Sequence, residues 1–174
     1  MREKVSESVY IVMAQYSCDL SQIRFKPNSR KVSVSIHVRL GRWPEIKEHA
    51  MPIRLAVFVE EQKVPIEEEV DAMDPLSLHA LATNDAGLVV GTGRLLPDGH
   101  IGRMSVLQAY RGQGVGSSVL RALVAQAQLE GFTEVVLHAQ THAKDFYSRH
   151  DFIAEEEVFY EANIPHVLMR RSFK

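Results

Sequence analysis

The stretch from His100 to Ala139 constrains this chain more than any other. It reads as a strand from His100 to Val106, a short glycine-rich loop, a helix from about Gly114 to Glu130, and a compact apolar strand from Glu134 to Ala139. Within the helix Val115, Val119, Leu120, Leu123, Val124 and Ala127 fall on one side, and Gly131 stands where a left-handed C-terminal residue is wanted. A strand–helix–strand crossover of this kind makes its two strands parallel and lays the helix over one face of their sheet. Any fold for the chain must therefore contain a parallel pair under a helix.

The other elements are antiparallel in character. Val32, Val34, Ile36, Val38 and Leu40 alternate with polar residues as in a half-buried strand, which Gly41 should break. Trp43-Pro44 suits a helix start, and the segment through Val59 is helix-prone, with Pro52 expected to kink or restart it. Pro65 and the run Glu67-Glu68-Glu69 mark a loop to Asp71 and Asp74, expected as a solvated acidic face. Leu78 to Thr83, Leu88 to Leu96 and His100 to Val106 form a meander across the turns Asn84-Asp85-Ala86-Gly87 and Pro97-Asp98-Gly99. A short helix from Ala143 to His150 precedes two strands, Phe152 to Tyr160 and Val167 to Phe173, around Asn163-Ile164-Pro165. The expected class is α/β of the α+β kind: one mixed, mostly antiparallel sheet of about six to seven strands with helices on both faces. Residues 31–174 form one domain, and residues 1–30 a poorly specified extension.

Bulk properties exclude several classes. The 174 residues suffice for one hydrophobic core. A formal net charge of -2 gives no bulk attraction for nucleic acid. No apolar run approaches the ~18 residues of a membrane span, and Met1-Arg2-Glu3-Lys4 does not open a signal peptide, so the expected location is the cytoplasm. The lone Cys18 can form no internal disulfide, the histidines lack ligand spacing, and no metal site is expected.

The loop itself, Arg111-Gly112-Gln113-Gly114-Val115-Gly116-Ser117, carries the chemistry. Glycines at every second position let the backbone turn tightly with its N–H groups facing one space, and the following helix adds its positive dipole end. That space suits a pyrophosphate, with Arg111 as a cation at its rim. A Walker loop would need Lys-Ser/Thr after the last glycine, and Ser117-Ser118 stands there instead. A dinucleotide fingerprint would need a third glycine and an acid at the far end of the next strand, where Gln140 is found.

These residues resemble the Arg/Gln-x-x-Gly-x-Gly/Ala signature of the GNAT acetyltransferases. Gln140-Thr141-His142-Ala143-Lys144-Asp145-Phe146-Tyr147, followed by Asp151-Phe152, is similar to the second motif of that family, with Gln140 for the usual Asn and Asp151 for the usual Gly. Arg54 with Val57 to Gln62, then Glu69, Asp71, Asp74 and His79, and the late Ile164-Pro165-His166, resemble the ElaA-like branch.

The resemblance implies acetyl-CoA as cosubstrate and transfer of its acetyl group to a primary amine of a small molecule or peptide, by direct attack on the thioester. It implies a coenzyme A site made by Met104, Ser105, Val106, the loop from Arg111 through Gly112, Gln113, Gly114, Val115 and Gly116 to Ser117, Gln140 and Phe146. It also implies Tyr147 as the acid that protonates the departing thiolate. A base must take the proton of the amine, because an alkylammonium is about one part in a thousand neutral at physiological pH. His79, Glu61, Asp74 and His138 are the candidates, since each lies near an element end that could face the acceptor. The acidic stretch Glu60 to Asp74 would favour a cationic amine, and an unpaired terminal strand would invite a homodimer. The alternative is a sensor that binds acetyl-CoA and transfers nothing, against which Tyr147 weighs.

Overall fold

The structure, a computed structural model, describes residues 35–173. The extension 1–30 with Cys18, and Val32 and Val34 of the first expected strand, lie outside the described residues. Four strands, β1 (Ile36–Arg42), β2 (Leu78–Asn84), β3 (Val89–Leu95) and β4 (Ile101–Val106), pair antiparallel in that order. Three more, β5 (Glu134–Gln140), β6 (Ile153–Glu161) and β7 (Ile164–Ser172), pair antiparallel in the order β5-β7-β6.

The two sets meet at a parallel bridge between His100 and Val136, next to which the Val136 N–H donates to the Gly99 carbonyl at 3.2 Å. The expected mixed sheet is therefore continuous only at this point, and β4 and β5 diverge beyond it. A bulge gives the local reason. Thr92 faces Ser105 and Arg94 faces Gly102, so the single residue Gly93 lies opposite Arg103 and Met104. An extra residue of this kind bends its strand and raises the local twist, which carries β4 away from β5.

Helices cover both faces. The helix α1 (Trp43–Arg54) packs Ile46 and Ala50 against Leu81, and the single turn α2 (Ile66–Glu69) comes later in the chain. The long helix α3 (Val115–Leu129) covers the other face with the six expected apolar residues, all buried in the main core. The short α4 (Lys144–Ser148) adds Tyr147 to that core.

Two local expectations change. Gly41 does not end β1; it pairs with His79 inside the strand, and its missing Cβ leaves room for Ile46 Cγ1, which would lie 2.9 Å from it. Pro52, expected to kink or restart the helix, lies inside α1 without a restart. The helix continues to Arg54 and then widens into a π-helical segment, Leu55–Glu61, in which the Gln62 N–H reaches the Val57 carbonyl at 3.1 Å. Proline removes one donor from the ladder, and a wider turn a few residues on is one way for the backbone to continue.

Leu123 is fully buried and Leu129, on the same helix, is 82% exposed. Leu123→Ala should cost about 2–5 kcal/mol of unfolding free energy in a denaturant titration and Leu129→Ala less than about 0.5 kcal/mol. Equal effects would mean that α3 does not seat its apolar stripe as described.

Candidate active site

The divergence of β4 and β5 opens a cleft of about 1140 Å³. One end is formed by the glycine loop. Gly112 and Gly114 have φ of 72° and 84°, in the left-handed region that favours glycine, and a Cβ on either would meet no atom within 4 Å. The backbone thus curls around open space. Gly114 is also the N-cap of α3 and brings no side-chain cap, and the first turn carries no acid, so the early N–H groups of the helix are free to bind an anion. Gly116 approaches the ring of Phe146 to 3.4 Å at its virtual Cβ, which brings α3 and α4 together. Arg111 and Arg149 line the same end.

A strap crosses the cleft there. From the π-helical segment Glu61 receives two hydrogen bonds from Arg111, at 2.7 and 2.6 Å, while Arg111 Nε donates to the Val106 carbonyl at 3.0 Å. The Arg111 hydrogen bonds hold the Glu61 carboxyl below its usual range. Next to this pair Gln140, at the end of β5, donates to Gln62 at 2.9 Å.

Deeper in, Tyr147 lines the cleft from a nearly buried position, and burial alone pushes its phenol up to about 12. The phenol is therefore protonated at neutral pH and can give a proton to a basic leaving group. The β5-β7-β6 side of the cleft carries His138, Glu161, Ile164 and His166. His138 Nδ1 donates to Glu161 at 2.6 Å, and His166 Nδ1 donates to the Ile164 carbonyl at 2.8 Å. In each ring that leaves Nε2 as the remaining nitrogen.

An open glycine loop at a helix start, a protonated phenol and two histidines line one cleft, which are groups that an acyl transfer from a phosphate-bearing donor could use. The acetyltransferase (GNAT) domain family matches residues 46–173. The chain belongs to the GNAT acetyltransferases. It is similar to an uncharacterized N-acetyltransferase of Bacillus subtilis, YjcF, at 38% identity over 70% of this chain and 89% of that one. The solved structure of Escherichia coli ElaA is similar at 29% identity and a TM-score of 0.69, covering 79% of this chain and all of that one. A GNAT acetyltransferase from Brucella melitensis, solved in complex with acetyl-CoA, is similar at 25% identity and a TM-score of 0.62, covering 80% and 89%. The protein is an acyltransferase of the ElaA-like kind, from a family whose cosubstrate is acetyl-CoA and whose acceptors are amines.

Within this GNAT chain the expected site residues divide. Met104, Ser105, Val106, Arg111, Gly112, Gly114, Val115, Gly116, Ser117, Gln140, Phe146 and Tyr147 line one cleft. Gln113 does not; its amide turns back to the Ala109 carbonyl at 2.9 Å and braces the loop. Ser117 hydrogen-bonds His150 at 2.8 Å, fixing the start of α3 to the end of α4. Glu61 lies at the glycine-loop end, bonded to Arg111, and so is not placed as a base facing an acceptor. His79 is outside the cleft: it is 1% exposed, donates from Nε2 to the Asp74 carbonyl at 2.9 Å and packs on Trp43, and burial lowers its pKa.

The acidic run is the largest departure from expectation. Glu69 and Asp74 are 1% exposed and, with Asp71, meet three arginines from three other elements. Arg54 of α1 bonds the Glu69 carboxylate, its carbonyl at 2.7 Å and Asp74 at 2.8 Å. Arg94 of β3 grips Asp71 at 2.8 and 2.7 Å and Asp74 at 2.6 Å. Arg103 of β4 reaches Asp71 at 2.9 Å and Glu69 at 3.0 Å. Three carboxylates against three guanidiniums neutralise the buried half of the acidic stretch, while Glu60, Glu67 and Glu68 stay exposed. Sequence reading missed this cluster, and also Arg149, Glu161 and His166 as cleft residues. Arg149 had a local signal, a cation two positions after Tyr147 in the motif helix, and His166 belongs to the Ile164-Pro165-His166 stretch that resembles the ElaA-like branch.

The cluster should register in acid. Burial pushes Asp71 up, but the Arg94 hydrogen bonds and charge outweigh it and hold the carboxyl at about 2, below its ordinary 3.8. Its contribution is complete above the ordinary value and disappears as pH falls through about 2. Glu69 has the opposite sign, since burial raises its pKa. Asp71→Asn should therefore lower the thermal midpoint at neutral pH and flatten the decline between about pH 4 and 2. An unchanged acid profile in that variant would remove Asp71 from the cluster.

Proposed function

We propose that the chain transfers the acetyl group of acetyl-CoA to a primary amine of a small molecule or peptide by direct attack on the thioester. The observation that carries this reading is the left-handed Gly112 and Gly114 loop, open over the uncapped start of α3 and leading into the β4–β5 cleft. Acetyl-CoA, when bound, supplies an activated acyl carbonyl. The loop backbone and the α3 N–H groups hold the pyrophosphate, with Arg111 and Arg149 as cations. Met104, Ser105 and Val106 run along the pantetheine arm, and Phe146 and Gln140 flank it.

Tyr147 keeps its proton in the buried phenol and delivers it to the departing thiolate. His166 is the group this geometry supports for taking the proton of the amine. Its Nδ1–H is spent on the Ile164 carbonyl, so Nε2 carries the lone pair, and the ring is held 8% exposed in the cleft wall. His138 stands next to it with Glu161, as the candidate from sequence that remains in the cleft. A sensor that only binds acetyl-CoA has less support, because Tyr147 places a protonated phenol on the cleft wall, where a departing thiolate needs an acid.

A homodimer would form through the β6 edge, where Ile153, Val158 and Tyr160 are exposed. Glu155, Glu156 and Glu157 on that strand would oppose such pairing at low salt. Sedimentation equilibrium should then show association that strengthens with salt; a monomer at all salt concentrations would exclude this edge.

Thermal unfolding with acetyl-CoA at a hundred times its dissociation constant should gain about 2.7 kcal/mol, with NAD and ATP giving none. No gain at millimolar acetyl-CoA would sink the reading. With an amine found by screening, Tyr147→Phe and His166→Ala should each lower kcat by roughly 10²-fold while acetyl-CoA affinity holds. Full turnover in either variant would remove that residue from the reaction.

A further inference from the structure

Arg103 is the one non-glycine residue inside a strand of the β1–β4 sheet with a left-handed backbone, at φ 50°. It sits in the β4 bulge, opposite Gly93, which has no room for a side chain because a Cβ there would lie 2.6 Å from Met104 Sδ. Nothing in an arginine favours this conformation. Its guanidinium, however, is held at four points by the acidic segment. Nη2 donates to the Glu68 carbonyl at 2.9 Å and to Asp71 at 2.9 Å, and Nε faces the Glu69 carbonyl at 3.3 Å and its carboxylate at 3.0 Å. Asp71 is itself gripped by Arg94, which pairs with Gly102 immediately before the bulge. Residues on both sides of the distortion are thus tied to one buried cluster.

A bulge leaves peptide groups unpaired and re-aims them, and this one lies where Arg103, Met104 and Ser105 line the cleft. We propose that Arg103 is a positioning residue for the acyl donor: its anchored side chain keeps its own backbone in the left-handed turn and so sets how β4 presents its peptide groups to the thioester. This rests on the reading that β4 runs along the pantetheine arm. The acidic segment then acts on the reaction without touching either substrate, as the clamp that maintains the turn.

The test needs no acceptor. Calorimetric titration of the full chain with acetyl-CoA and with coenzyme A separates the acetyl carbonyl from the rest of the ligand, because the free thiol lacks that oxygen. The unaltered chain should prefer acetyl-CoA by about fivefold, the worth of one net hydrogen bond. Arg103→Met should lose the preference while coenzyme A binding stays within about twofold, which also shows that the fold and phosphate cradle survive. Asp71→Asn, which cuts the anchor from its other end, should do the same. Arg103→Gly should keep the preference, because glycine takes the positive φ without an anchor. Retention in Arg103→Met would overturn the inference, as would loss in Arg103→Gly equal to that in Arg103→Met, since the side chain would then act for itself. An unaltered chain that binds both ligands equally would overturn it too. An unaltered chain that binds neither would instead reject the acetyl-CoA reading on which it stands.

Discussion

Two parallel strands that meet at a single bridge and then part are the constraint on which the rest of this structure depends. The crossover through α3 obliges β4 and β5 to run the same way, and the His100–Val136 bridge gives them one common point. Past it, hydrogen-bonding capacity on the facing edges is not consumed by the sheet. In a buried sheet this would be expensive. Here it becomes a cleft with backbone donors along one wall, and every candidate group of the reaction is reached from its two sides: the loop and α3 from β4, the Tyr147 helix from β5, and His166 from β7.

What keeps the gap open is distributed over both faces. On one, α3 and α4 pack Phe146 against Gly116 and Tyr147 into the main core, so the glycine loop and the phenol share one support. On the other, Arg54, Arg94 and Arg103 close over Glu69, Asp71 and Asp74. Buried ion pairs seldom stabilise a fold more than apolar packing would, because each charge must first be desolvated. Asp74 Oδ2 and Arg94 Nε are even left without a partner among the described residues. Such a cluster is better understood through its directionality. Forked guanidiniums fix angles that apolar contacts leave loose, and these angles are imposed on β3 and β4 at the bulge.

Legibility varied with the range of the interaction. The apolar stripe of α3 was readable because a 3.6-residue period needs no knowledge of the partner, and all six of its residues are buried. The glycine loop was readable because positive φ demands glycine at Gly112 and Gly114 in any context. The run Glu67-Glu68-Glu69 was legible only in part: Glu67 and Glu68 are exposed as expected, but a local charge count cannot see Arg94 and Arg103, over twenty residues further on, which join Arg54 in the cluster that buries Glu69. His79 misled: its position at a strand start is common to buried and catalytic histidines, and only the Asp74 carbonyl and Trp43 distinguish them.

The sequence by itself determined the crossover, its helix, the open glycine loop and the Phe146-Tyr147 pair, because each follows from periodicity or backbone conformation within a few residues. Only the tertiary structure decided which titratable groups share the cleft. It moved His79 and the acidic segment away, tied Glu61 to Arg111, and brought His138, Glu161 and His166 onto one wall from three strands. Side-chain convergence depends on strand order and on where a sheet opens, and neither is written in the spacing of the residues that converge.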